Sequence, residues 1–218
     1  MLKKLLLVFI CVSALPLFAH TGGIVLFGGG NWTPINIMAV PVFSLVAPDK
    51  TDVYGLFLAP GFGWCESVYG VNLGIVTVAM EKGYGVSVAV GSCIRENNGV
   101  AIGIFHMDGD NNGLAAGIFN IGDHNNRVKL GIVNVFEENA GIVIGVLNCK
   151  VLPQRAEALP GTSVGIVNIS KKNTFQLGIY NQAEGGLQIG LLNHNPNALI
   201  PWMPFFNYSS DTEDKKQK

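Results

Sequence analysis

The sequence predicts an all-β fold: glycine-rich tandem repeats of about 14 residues forming an antiparallel β-meander, curled or closed into a barrel, with a β-solenoid as the alternative. Three observations lead there. The chain holds 28 glycines in 218 residues, and each glycine inside a helix costs about 1 kcal/mol relative to alanine. Its apolar segments are short and rich in Ile, Val and Leu, residues that strands favour. Clusters of Asn, Asp and Gly, which form turns, separate those segments at near-constant intervals.

Composition narrows the function classes as well. Hydrophobic residues make up 49% of the chain, so it has ample surface to bury and does not read as disordered. The formal net charge is −1, and residues 20–210 carry only 21 charged side chains. A nucleic-acid binder needs a basic face, which this chain lacks.

Residues 1–19, MLKKLLLVFICVSALPLFA, read as a secretory signal peptide. Lys3 and Lys4 form a basic start, Leu5 to Leu17 an apolar centre, and Ala19 suits the cleavage position. The apolar run is shorter than the roughly 20 residues of a membrane-spanning helix. Residues 20–210 then form a single β-repeat domain, and the charged segment 211–218, DTEDKKQK, is expected to be a disordered tail. After cleavage three cysteines remain, Cys65, Cys93 and Cys149. Their wide spacing excludes a zinc motif and suggests buried free thiols, with one disulfide left open.

Within the domain, residues 35–80 supply several strands, among them INIMAVPVFSLVA, DVYGLFLAPGFG and SVYGVNLGIVTVAM. Degraded repeat copies appear in GVNLGIVT (70–77) and GVSVAVGS (85–92). The regular copies are GVAIGIFH (99–106), GLAAGIFN (113–120), RVKLGIVN (127–134), GIVIGVLN (141–148), TSVGIVN (162–168), FQLGIYN (175–181) and GLQIGLLN (186–193). Their central glycines Gly103, Gly117, Gly131 and Gly145 fall 14 residues apart. A longer step to Gly165 absorbs an inserted loop around 152–161, and Gly178 and Gly190 come after it. Strands of roughly eight to ten residues with turns of four to six account for the period.

Strict alternation would place Ile142, Ile144, Val146 and Asn148 on one face and Gly141, Val143, Gly145 and Leu147 on the other. Both faces are apolar, which implies cover by protein on two sides or by lipid on one. The central glycines permit close approach of another backbone or strong bending. The recurrent Asn120, Asn134, Asn148, Asn168, Asn181 and Asn193 serve as turn starters or as a stacked ladder. ALIPWMPFFNY (198–208), punctuated by prolines, suits an edge strand or cap. The short polar linkers favour hairpins. About twelve strands between residues 36 and 208 are enough to curl into a barrel, whereas 14 residues are few for a solenoid coil.

Catalytic chemistry is not legible. His20, His106, His124 and His194 form no close metal-binding pair. Asp108, Asp110, Asn111 and Asn112 place oxygens as a calcium loop does but lack its closing acidic residue, so a polar turn is the better reading. Glu137 and Glu138 also fall in a turn, and no nucleophile motif is present. No catalytic, cofactor-binding or metal residues are assigned, and no cofactor is expected.

GLQIGLLN (186–193), ALIPWMPFFNY (198–208) and VPVFSLVAPDKTDVYGLFL (40–58) resemble bacterial surface-repeat proteins built on GLQIGLxN units, known from spirochaetes and other diderm bacteria. The resemblance spans roughly residues 36–208. It implies export, a surface or outer-membrane association and no enzymatic activity. The expected function is therefore that of a non-enzymatic surface or outer-membrane-associated protein with a structural or adhesive role. A small transmembrane barrel acting as a pore or scaffold is the alternative. Expected partners are outer-membrane lipid or other envelope components, with no nucleic acid and no identified small-molecule substrate. The expected location is the cell surface or outer membrane, with the periplasm as the other exported address.

Overall fold

The computed structural model describes residues 24–25, 32–39, 43–44, 51–150, 161–170 and 175–210. The expected signal peptide at residues 1–19, the expected loop around 152–161 (apart from Gly161), the segment 211–218 and His20 lie outside the described residues. The described part is built of strands, and these fall in two compact units, residues 1–95 and 96–218.

The first unit contains β1 (Ile24–Val25), β2 (Trp32–Ala39), β3 (Phe43–Ser44), β4 (Asp52–Cys65) and most of β5 (Ser67–Asn97). β4 pairs in parallel with both β2 and β5. Met38, Val53, Phe57, Ala59, Cys65 and Val68 form an apolar core here, with Trp64 packed against it.

The second unit contains β6 (Val100–Asn111), β7 (Leu114–Asn125), β8 (Val128–Asn139), β9 (Ile142–Lys150), β10 (Thr162–Ile169), β11 (Phe175–Gln182), β12 (Gly186–His194) and β13 (Trp202–Ser209). From β6 to β12 each strand pairs in parallel with the next. The register repeats the sequence spacing: Gly103 lies beside Gly117, Gly117 beside Gly131, Gly131 beside Gly145, and Gly145 beside Gly165. Each repeat is thus one coil of a β-solenoid. The antiparallel meander and the closed barrel are not the arrangement found, and the solenoid alternative is. At the end of this unit β13 runs antiparallel to its neighbour β12, in the closing position that its prolines suggest.

A 14-residue coil fits because it is narrow. The buried positions of β7 are Ala115, Asn120, Gly122 and Asn125, all small or amide-bearing. Ile118 and Phe119 are consecutive and both exposed. Two outward residues in succession break strict alternation, because the chain turns a corner there. The register skips Ile118 between the paired Gly117 and Phe119.

The same corner corrects the expected grouping of faces. Val143 and Asn148 both point inward, whereas Ile142, Ile144 and Val146 are exposed. Strands also run on past the motif asparagine: β6, β7 and β8 each have 12 residues rather than the expected eight to ten.

The central glycine is required by the stacking. A Cβ on Gly145 would collide with the Gly131 carbonyl oxygen and the Asn134 amide, and would lie 3.0 Å from Asn148 Oδ1. Gly91 makes the contrast, since a Cβ there meets only Val76 Cγ2 at 3.8 Å. Gly145→Ala is expected to lower stability by more than about 2 kcal/mol, and Gly91→Ala to change it by less than about 1 kcal/mol. Urea unfolding of the two variants, monitored by circular dichroism, checks the contrast; equal losses would contradict this role for the central glycine.

Candidate functional site

Rows of buried amides run through the interior of the second unit. Asn120 Nδ2 donates to Asn134 Oδ1 at 2.8 Å, and the bond recurs from Asn134 to Asn148, Asn148 to Asn168, Asn168 to Asn181 and Asn181 to Asn193, each at 2.8 Å. Each donor amide also reaches a backbone carbonyl in the next coil: Leu130, Ile144, Val164, Leu177 and Ile189 in turn. A buried primary amide has two donors to satisfy, and this geometry uses both. The recurrent asparagines are therefore a stacked ladder, one of the two roles their sequence positions suggest.

A second ladder runs parallel to the first. Asn97 donates to Asn111 at 2.9 Å, Asn111 to Asn125 at 2.8 Å and Asn125 to Asn139 at 2.7 Å. Asn111 is thus committed to the interior and does not sit on a calcium loop. In the first unit Asn72 makes comparable buried bonds to Thr77 and Ser87, both at 3.1 Å.

The most concentrated chemistry lies inside the β6–β8 coils. Lys129 Nζ donates to Asp108 Oδ1 at 2.7 Å, and His106 Nε2 lies 3.2 Å from Asp108 Oδ2. All three side chains are fully buried. Gly122, in the intervening coil, makes the link possible: a Cβ there would collide with both Asp108 Oδ1 and Lys129 Nζ. Burial alone would raise the Asp108 pKa, but the Lys129 charge and the adjacent His106 outweigh it and hold the carboxyl below its ordinary value. Asp108, which the sequence places in a polar turn, is one half of an internal ion pair. Lys129 is a site residue that sequence reasoning misses; its only signal is a lone charge at an inward position of RVKLGIVN.

The other candidates are dispersed. His124 Nδ1 lies 3.1 Å from Glu138 Oε2 at the partly exposed charged edge. His194 stacks on Trp202 with ring centroids 4.1 Å apart. Cys65, Cys93 and Cys149 are free thiols, of which Cys65 is buried and the other two are half-buried. Burial, and then the Asp52 charge, push the Cys65 thiol up to about 12, and burial also raises Cys149. Thiols held protonated in this way are poor nucleophiles. Among the described residues, no group of three or more His, Cys, Asp or Glu is placed to hold a metal ion.

The outer surface reverses the usual partition. Ile102, Ile104, Phe105, Ile132, Val146 and Ile166 are between 41% and 53% exposed, while the neighbouring amides are enclosed. Soluble proteins commonly place these residue types the other way round. No known family model, curated protein or solved structure matches the chain.

Breaking the buried pair tests its role. Lys129→Met leaves the Asp108 charge without its main partner and is expected to cost about 3–5 kcal/mol, with Asp108→Asn added to it restoring part of the loss. A carboxyl whose pKa is depressed on folding contributes its stability above its unfolded pKa, about 3.9, and loses it as pH falls through the folded value. Denaturant midpoints measured from neutral pH down to strong acid should therefore fall below about pH 4. That fall should be smaller in Asp108→Asn.

Proposed function

We propose that this protein is an exported, non-enzymatic repeat protein of the bacterial envelope, held at the cell surface or outer membrane in a structural or adhesive role. The observation that carries this reading is the reversed partition of the coils, with amides enclosed and Ile, Leu, Val and Phe outside. Exposed apolar patches of this extent mark surfaces that meet a partner or a membrane. The basic, then apolar, leader sequence at residues 1–19 supplies a route for export. The resemblance of the GLQIGLLN and ALIPWMPFFNY segments to surface-repeat proteins points to the same compartment. The buried chemistry fits a structural role too. Asp108 and Lys129 neutralise each other inside the coil, where no substrate reaches them.

Fractionation of cells producing the full chain, combined with protease treatment of intact cells, tests the proposal. The chain is expected in the outer-membrane fraction, with its repeats cleaved or protected according to the side of the membrane they face. Recovery of the chain in the cytosol with residues 1–19 intact would sink it.

A further inference from the structure

From the shape of the apolar face, we infer that it is a ridge that inserts into the acyl-chain region of a lipid leaflet. The inference rests on the envelope reading above and names the component that the coils contact. Three features of the second unit favour lipid over a second copy of the chain.

The first is convexity. Ala115 and Asn120 both point into the coil, so the chain between them bends around a corner and carries Ile118 and Phe119 at its outside. Stacking repeats this corner through Ile104, Ile132, Val146, Ile166, Ile179 and Leu191. With strands about 4.8 Å apart, seven coils make a ridge roughly 30 Å long. Its slopes face different ways, so the apolar surface is not one flat patch. A standard dimer covers about 800 Å² of each partner on a single patch. A flat partner covers one slope, whereas fluid acyl chains cover both.

The second is charge. Among the described residues of the seven coils, no Asp, Glu, Lys or Arg points outward between the first and last apolar positions; Lys129 is the one charge in that stretch and it is enclosed. Asp110, Asp123, Glu137 and Glu138 lie instead at the edge beyond the motif asparagines, where Asp110, His124 and Glu138 pair in register. An amphipathic body of this kind suits the boundary between acyl chains and water.

The third is the order of aromatic side chains in β13. This strand lies antiparallel on the last coil, with a register shift between Gly190 and Asn193, where the last coil turns its corner. Trp202 pairs with His194 on one flank, Phe205 and Phe206 pair with Gly190 and Ile189 near the corner, and Tyr208 pairs with Leu187 on the other flank. All four rings are more than half exposed. The purely apolar rings thus lie beside the crest, and the rings with an N–H or O–H stand farther along the strand on either side of them. Trp and Tyr take such positions where one end of the ring is in lipid and the other in water. In the first unit Tyr54, Tyr69 and Tyr84 stack at 4.6 and 5.2 Å, each beside the glycine that opens a coil.

The test uses the full chain with phosphatidylcholine vesicles carrying a diazirine on the acyl chain. After irradiation and proteolysis, adducts are expected at Ile132, Val146, Ile166 and Phe205, and not at Asp110, Glu137 or Glu138. Because the ridge is uncharged, raising the salt concentration should leave the labelling unchanged within about twofold. Ile132→Asp combined with Ile166→Asp should lower ridge labelling by about tenfold or more. Adducts confined to residues 1–19, or spread equally over the crest and the acidic edge, would overturn the inference. So would a stable lipid-free dimer whose formation abolishes ridge labelling. If the double variant loses its β-sheet circular dichroism, the labelling pattern of the unaltered chain decides. Ridge labelling in vesicles with cytosolic recovery from cells would sink the envelope reading alone. Envelope recovery without ridge labelling would sink this inference alone.

Discussion

An asparagine that faces its own copy in the next coil can donate one amide hydrogen to that copy's side-chain oxygen and the other to a backbone carbonyl, and the rest of the second unit depends on this pair of bonds. The amide oxygen can in turn accept from the coil before it. The bonds at 2.8 Å between successive motif asparagines exist only while neighbouring strands run parallel and in register. A shift of one residue would turn the whole set outward and leave buried carbonyls without partners, a cost of about 1–3 kcal/mol at each. The ladder therefore specifies direction and register together. It also explains the central glycines, whose missing side chains leave space for the amides and for the carbonyl of the coil before.

A polar interior changes where apolar side chains can go. A 14-residue coil encloses a narrow strip, filled mostly by Ala, Ser, Asn and Gln, with Val143 and Phe136 as single larger apolar side chains within it. Lys129 fits because Gly122 gives up its side-chain volume and Asp108 balances the charge. Most of the larger aliphatic side chains lie on the outside. There they pack along the stack against their own copies, as the rings of Phe105 and Phe119 do at 5.1 Å, while their outer surfaces remain open. The first unit differs at its start, where Phe57, Met38 and Val53 form a conventional apolar core.

Much of this architecture is legible in the sequence. Glycine and β-branched residues announce the strand content, and the spacing of Gly103, Gly117, Gly131 and Gly145 anticipates the register residue by residue. Strand direction is not legible. Asn, Asp and Gly clusters end a strand in a hairpin and also turn a solenoid corner, so the linkers alone favour an antiparallel meander that the structure does not contain. The face of Asn148 is obscured for a related reason. Alternation holds only in a straight strand, and the corner at Val146 reverses the parity of the residues beyond it. The Asp108–Lys129 pair lies 21 residues apart and across two coils, a distance that no local motif spans.

The steps between paired coils are unequal: 14 residues through β6–β9, then 20, 13 and 12. The variation is confined to the stretch after the motif asparagine, and the apolar motif keeps its length. Coils therefore behave as interchangeable modules joined by adjustable spacers. Every pairing joins neighbours close in the chain, so a formed coil can template the next without waiting for a distant segment. Such a chain can gain or lose whole coils and still fold, growing or shrinking by one strand spacing at a time. Loss of a single residue within the motif has the opposite effect, because the mismatch is carried into both amide ladders at once.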